Sequence, residues 1–128
     1  MKNFLIPMFL ILAAWSCMPS QKAGSPDKKA VIKKDSTEYD ITIIDPDFEN
    51  WYIMNYSPGK DYSNEFYRSH NRVAVSNWND YFIRGKYHRV IDNYIIYDNS
   101  ADYGIDVNRK LYWYFKYAED RFRIRLLN

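Results

Sequence analysis

The chain of 128 residues has a single cysteine and four glycines. One cysteine excludes a disulfide within the chain, so the folded part must hold by packing alone. Four glycines cannot hide a glycine-rich phosphate loop, and none stands in a G-x-x-x-x-G-K pattern. The two histidines, His70 and His88, fall at no metal-ligand spacing such as H-x-x-x-H. Charge of one sign is scarce as well: 18 basic residues face 16 acidic ones, with no clustered basic face. That balance makes no electrostatic case for nucleic acid. No apolar run reaches the roughly 20 residues that a spanning helix needs.

What is present begins with an apolar run from Phe4 to Cys17. Lys2 supplies a positive start, and FLIPMFLILAAW supplies about a dozen apolar residues, the length of a signal-peptide core. Pro7 would weaken a longer helix there. The expectation is a cleaved lipoprotein signal peptide over residues 1–16. Ala13-Ala14-Trp15-Ser16-Cys17 is similar to a bacterial lipobox, with Trp15 resembling the looser lipoboxes of Bacteroidota. That resemblance implies lipidation of Cys17 and attachment to a membrane through N-terminal acyl chains. One chain alone would bind only marginally, whereas multiple acylation anchors stably. The competing reading is an ordinary leader that leaves a free thiol.

Removing such a leader takes Lys2 with it and leaves roughly 112 residues, a one-domain length. Residues 17–37 carry Pro, Gly and Ser, five lysines and no aromatic residue. They read as the lipidated cysteine and a flexible linker that cannot bury enough apolar surface to order itself. No acidic cluster follows Cys17. Surface-exported Bacteroidota lipoproteins resemble one another in having one, so the expected address is the outer membrane, facing the periplasm.

Residues 38–128 read as a single globular domain. Glu38 to Ile44 alternates and predicts a strand. Asp45-Pro46 suits a helix start, with Phe48, Trp51, Tyr52 and Met54 or Tyr56 on its apolar face. A longer helix follows over Tyr62–Ile83, its apolar side at Phe66, His70, Val73, Asn77, Trp78, Tyr81 and Phe82. Val73-Ala74-Val75 offers a short strand as the alternative. Val90–Tyr97 predicts a second strand, Asp106 an N-cap for a helix through Ala118, and Arg121–Leu127 an edge strand. That helix carries Val107, Leu111, Tyr114, Phe115 and Ala118 on one face. The fold class is thus α+β or α/β: a small three-stranded sheet with packed helices, in the order β-α-α-β-α-β.

Tyr39-Asp40-Ile41, Ile44-Asp45-Pro46, Phe48, Trp51, Tyr62-Ser63, Asn71-Arg72, Trp78-Asn79, Asp102-Tyr103-Gly104, Val107-Asn108 and Tyr112 are recognisable together. Over residues 39–119 the chain resembles an uncharacterised family of small Bacteroidota lipoproteins, a domain of unknown function. The resemblance implies an envelope address and one domain. It implies no activity, ligand or functional residue.

Candidate chemistry is thin. Ser57-Pro58-Gly59-Lys60 matches S-x-x-K, but Ser25-Pro26-Asp27-Lys28 matches it too and no K-T-G follows, so a turn is expected. His70 lies on its helix's apolar stripe and reads as a hydrogen-bonded boundary residue rather than a base. Asp98, Ser100, Asp102 and Asp106 resemble calcium-loop spacing, but Arg109 stands where a bidentate glutamate is needed. Asp45, Asp47 and Glu49 suit the positive end of a helix. No catalytic, cofactor-binding or metal residue is therefore expected, and the chain does not read as an enzyme.

Aromatic residues are 19% of the chain, and all 13 tyrosines lie at or beyond Tyr39. A domain of this size cannot hide every ring. Trp51, Trp78, Tyr112, Trp113 and Tyr117 form the candidate binding surface. The expected function is a non-catalytic protein-interaction module on an envelope lipoprotein. The alternative is a glycan- or peptidoglycan-binding module that uses those exposed rings.

Overall fold

The computed structural model describes residues 30–35 and 38–128. The expected leader, Cys17 and most of the linker lie outside the described residues. The elements are β1 (Ala30–Asp35), β2 (Glu38–Ile43), α1 (Pro46–Asn55), a 3-10 turn (Pro58–Lys60), α2 (Asn64–Ile83) and α3 (Ile105–Phe122). The class is mixed α+β, with three helices and a two-stranded antiparallel sheet. Among the described residues, no helix is long and apolar enough to cross a membrane.

β1 lies in the stretch whose lysines suggest a tether. Ala30 pairs with Ile43, Ile32 with Ile41 and Lys34 with Tyr39. Ala30 is buried while Lys33 and Lys34 point to solvent, the pattern of a charged edge strand. β2 runs into α1 as Asp45-Pro46 demands. The Asp45 carboxylate accepts the Asp47 amide, and Pro46 opens the helix where its missing N–H costs nothing. α1 buries Phe48 and half-buries Trp51 and Tyr52, with Tyr56 half-buried just past its end, whereas Met54 faces water.

α3 is the centre of the domain and packs against α1, α2 and β2. Val107, Leu111, Tyr114, Phe115 and Ala118 are buried as their spacing predicts, and so are Asn108, Tyr112, Trp113 and Tyr117. A helix buried nearly all round is a core helix. Its N-cap is Gly104, not Asp106. Gly104 adopts φ 82 and ψ 158, a conformation essentially confined to glycine, so the chain turns into the helix two residues earlier than expected. Asp102 takes the Gly104 amide, and Asp106 in the first turn faces Arg109.

Val73-Ala74-Val75 is helical, inside α2. The buried stripe of α2 is Tyr67, Asn71, Ala74, Val75, Trp78 and Asn79. Of the residues expected on its apolar side only Trp78 is buried, while Val73 and Phe82 are exposed. The stripe is turned by about one residue because two of its members are asparagines, which a hydrophobicity pattern assigns to water.

The expected second and third strands join no sheet among the described residues: 91–97 form neither helix nor strand, and the start of the expected third strand, Arg121 and Phe122, belongs to α3. Ile91, Asn93 and Ile95 are buried and Asp92, Tyr94 and Ile96 exposed, so the period of two is present. Their backbone partners are helix side chains. Asn79 donates from Nδ2 to the Ile95 carbonyl (2.8 Å) and accepts the Ile95 amide on Oδ1 (2.8 Å). The Trp78 indole donates to the Asn93 carbonyl (2.7 Å), and Asn93 reaches the Ala30 carbonyl (3.2 Å). The C-terminus behaves likewise. α3 continues to Phe122, Arg123 turns with φ 57, and Ile124 and Leu126 insert into the core. Asn77 donates to the Leu126 carbonyl, Tyr81 to that of Arg125, and Glu119 accepts the amides of Leu126 and Leu127. One carboxylate or carboxamide can satisfy the backbone groups that a neighbouring strand would otherwise bond.

Candidate functional site

The five aromatic residues singled out from sequence do not form an exposed platform. Trp78 and Tyr117 are fully buried, Tyr112 and Trp113 nearly so, and Trp51 is half-buried. Trp78 packs on Tyr114 and Phe115, with ring centroids 5.9 and 6.1 Å apart. Tyr117 sits edge-on to Phe48 and Trp51, and its hydroxyl donates to Asp45 Oδ1. The rings are spent in the interior because α3 buries nearly all of its faces. Cys17 lies outside the described residues.

Trp51 and Trp113 do come together, among the residues that line a groove of about 510 Å³ between α1 and the second half of α3. Their centroids are 6.3 Å apart. Asn55, Lys60, Lys116, Glu119, Asp120 and Arg123 line the rest. Each carboxylate has one oxygen engaged within the fold. Asp120 Oδ2 accepts the Trp51 indole N–H (3.1 Å), and Glu119 Oε2 takes the Leu126 and Leu127 amides. Lys60 bonds the Asn55 carbonyl (3.3 Å). None of the three groove cations pairs with a carboxylate among the described residues. The spacing of Trp113, Lys116, Asp120 and Arg123 along one stripe of α3 was the signal for this groove. Charged residues at helical spacing read as a solvated face until a second helix is laid beside them.

A second polar centre joins the α1–α2 connection to α3. Arg109 donates from Nε and Nη2 to the two oxygens of Asp61 (3.0 and 2.9 Å) and from Nη1 to Asp106 (2.8 Å). Tyr67 donates its hydroxyl to Asp61, and the Trp113 indole approaches the Tyr67 oxygen at 3.4 Å. These bonds, from Arg109 first and Tyr67 next, hold the Asp61 carboxyl down at about 2. Asp61 in turn raises Arg109 above the ordinary guanidinium range. A bidentate guanidinium–carboxylate pair of this kind fixes geometry.

Because the folded carboxyl titrates below its ordinary 3.8, Asp61 stabilises the fold fully above about pH 4. That contribution disappears as pH falls through about 2. Asp61→Asn should lose about 1–2 kcal/mol at neutral pH, the lower part of the range for charged hydrogen bonds because the pair is partly in water. Urea midpoints measured for both proteins should converge between pH 4 and 2. A gap that stays constant down to pH 2 would show that the loss does not come from the ionised Asp61 carboxylate.

The remaining sequence candidates have structural duties. Ser57-Pro58-Gly59-Lys60 forms the 3-10 turn, with Lys60 directed at Asn55 and no side-chain cap from Ser57. His70 Nδ1 bonds the Phe66 carbonyl at 2.8 Å while its ring stacks on Phe66 and meets Tyr112 edge-on. His88 lies on the surface. Asp98 holds Ser100, so Asp98, Asp102 and Asp106 each serve a local turn or a salt bridge. Among the described residues no group of three or more His, Cys, Asp or Glu is placed to hold a metal ion. Glu49 and Asp47 reach Lys110 and Arg121.

The fold and these two centres define a small α+β domain whose central helix lines a groove with charged residues and two tryptophans. The chain belongs to a family of unknown function (DUF6146), whose model matches residues 3–128. No curated protein and no solved structure matches the chain.

Proposed function

We propose that the protein is a lipoprotein of the cell envelope, tethered through acyl chains on Cys17, with a folded domain that serves as a non-catalytic protein-interaction module. The observation that carries the interaction is an apolar surface at the C-terminal end of α2. Asn79, Phe82 and Ile83 share one stripe of that helix. Asn79 clamps Ile95, and Phe82 meets Tyr94, which like Ile96 is an exposed residue of the segment after α2. The Phe82 and Tyr94 rings are 6.5 Å apart. Phe82 is 37% exposed, Tyr94 52%, Ile83 73% and Ile96 80%. Neighbouring apolar groups left this open on a small domain mark a surface that something covers.

A photo-crosslinking residue placed at Ile96 or Ile83 should give the same discrete adduct in intact cells. One placed at exposed Glu38 should not. No adduct, or the same adduct from all three positions, removes the interaction reading. The tether is tested separately: the mature N-terminus should be an acylated Cys17, sensitive to globomycin. A free thiol, or a chain that retains residues 1–16, removes it. The expected address, the outer membrane facing the periplasm, rests on the lack of acidic residues after Cys17. Glycan binding through the five-ring platform loses its support, since only Trp51 among those rings is more than marginally exposed.

A further inference from the structure

We infer that the groove between α1 and α3 is a binding site for a carboxylated saccharide, independent of the apolar surface on α2. Its volume, about 510 Å³, is that of a small-ligand site. Half-buried Trp51, with the small exposed part of Trp113 beside it, supplies the apolar part of the lining, and an indole suits the C–H face of a pyranose ring. Lys60, Lys116 and Arg123 line the same groove without a carboxylate partner among the described residues, so they remain available to an anionic group.

The acidic residues in the same groove choose between anions. Glu119 and Asp120 each use one oxygen inside the fold, which leaves Glu119 Oε1 and Asp120 Oδ1 as acceptors. Asn55 spends its Nδ2 on the Trp51 carbonyl (2.7 Å), so its Oδ1 is a third acceptor. A bare phosphate offers chiefly acceptors, so it leaves these three acceptors without donors and has no apolar face for Trp51. A sugar acid brings hydroxyl donors for the three acceptors, a carboxylate for the cations and an apolar face for Trp51. A ligand with all three kinds of group matches this lining.

The test titrates the full chain with oligogalacturonate, its methyl ester, a neutral malto-oligosaccharide and inorganic phosphate. Binding is read by tryptophan fluorescence and calorimetry. Oligogalacturonate should bind saturably, and esterification should weaken it at least tenfold. The exposed double substitution Lys60→Glu with Lys116→Glu should do the same while the circular dichroism spectrum stays unchanged. Equal binding of ester and acid, equal binding by the double variant, competition by phosphate alone, or no saturation at millimolar oligosaccharide would each overturn the assignment. A photo-crosslink at Ile96 that survives the double substitution leaves the protein-interaction reading intact whichever way this titration falls.

Discussion

Replacing Asn79 with leucine should cost about 2–5 kcal/mol, more than its modest change in volume suggests. The side chain closes a two-point bond with one residue, accepting the Ile95 amide and donating to the Ile95 carbonyl. Leucine leaves both backbone groups buried without a partner, at about 1–3 kcal/mol each. Asn79→Asp separates the two halves: it can still accept the amide, but it sets a charge against the carbonyl. The aspartate variant should therefore also be severely destabilised, whereas Asn77→Ala, which frees only the half-buried Leu126 carbonyl, should cost about 1 kcal/mol. Urea unfolding measures the stabilities, and hydrogen exchange locates the damage. The amides of residues 91–97 should lose protection before those of α3. An Asn79→Leu protein within about 0.5 kcal/mol of the parent would mean that the segment is held by Ile91 and Ile95 packing alone.

Asn79 also marks where sequence reading stops. Asp45-Pro46, the β2 alternation and the apolar face of α3 are local signals, each carried by the residues that do the structural work, and each was legible. Val90–Tyr97 and Arg121–Leu127 show the same period of two as β2, because their alternate residues enter the core. Periodicity reports burial; it does not name the hydrogen-bond partner. Here those partners are Asn77, Trp78, Asn79 and Tyr81, distant in sequence, and the nearer Glu119, all polar at their tips. The buried asparagines of α2, Asn71 and Asn79, turned its expected face: Asn79 holds Ile95, and Asn71 donates to the Asn108 carbonyl inside the core, where Asn108 binds Tyr97 and Asn64. β1 was hidden by lysines that are correct for an edge strand. The groove was legible only in part. Trp51 and Trp113 were singled out, but the charged residues around them acquire meaning only once α1 is laid against α3.

Alkaline pH should unfold this protein cooperatively between about pH 10 and 12. Burial raises seven tyrosines above the ordinary value of 10.0: Tyr52, Tyr67, Tyr97, Tyr103, Tyr112, Tyr114 and Tyr117. Tyr52, Tyr112 and Tyr117 are pushed up to about 12, Tyr117 with added repulsion from the Asp45 carboxylate that its hydroxyl meets. Above pH 10 the unfolded chain sheds these protons while the folded chain retains them. The unfolded state then binds fewer protons, and stability falls as pH rises. Each withheld proton costs up to about 1.4 kcal/mol per pH unit. Allowing about half of that for rings partly in water, the four most strongly raised groups, Tyr52, Tyr112, Tyr114 and Tyr117, together remove about 3 kcal/mol per unit. A domain at the lower end of ordinary stability, about 5 kcal/mol, does not survive two such units. Tyrosinate absorbance and near-ultraviolet circular dichroism should therefore change together in one steep step. Tyr114→Phe removes a withheld proton and also a buried hydroxyl that has no partner among the described residues. That variant should move the step to higher pH and lose no stability at neutral pH. If the tyrosines instead titrate gradually around pH 10 while the dichroism holds, their hydroxyls are open to water and the interior is looser than the packing of α3 requires.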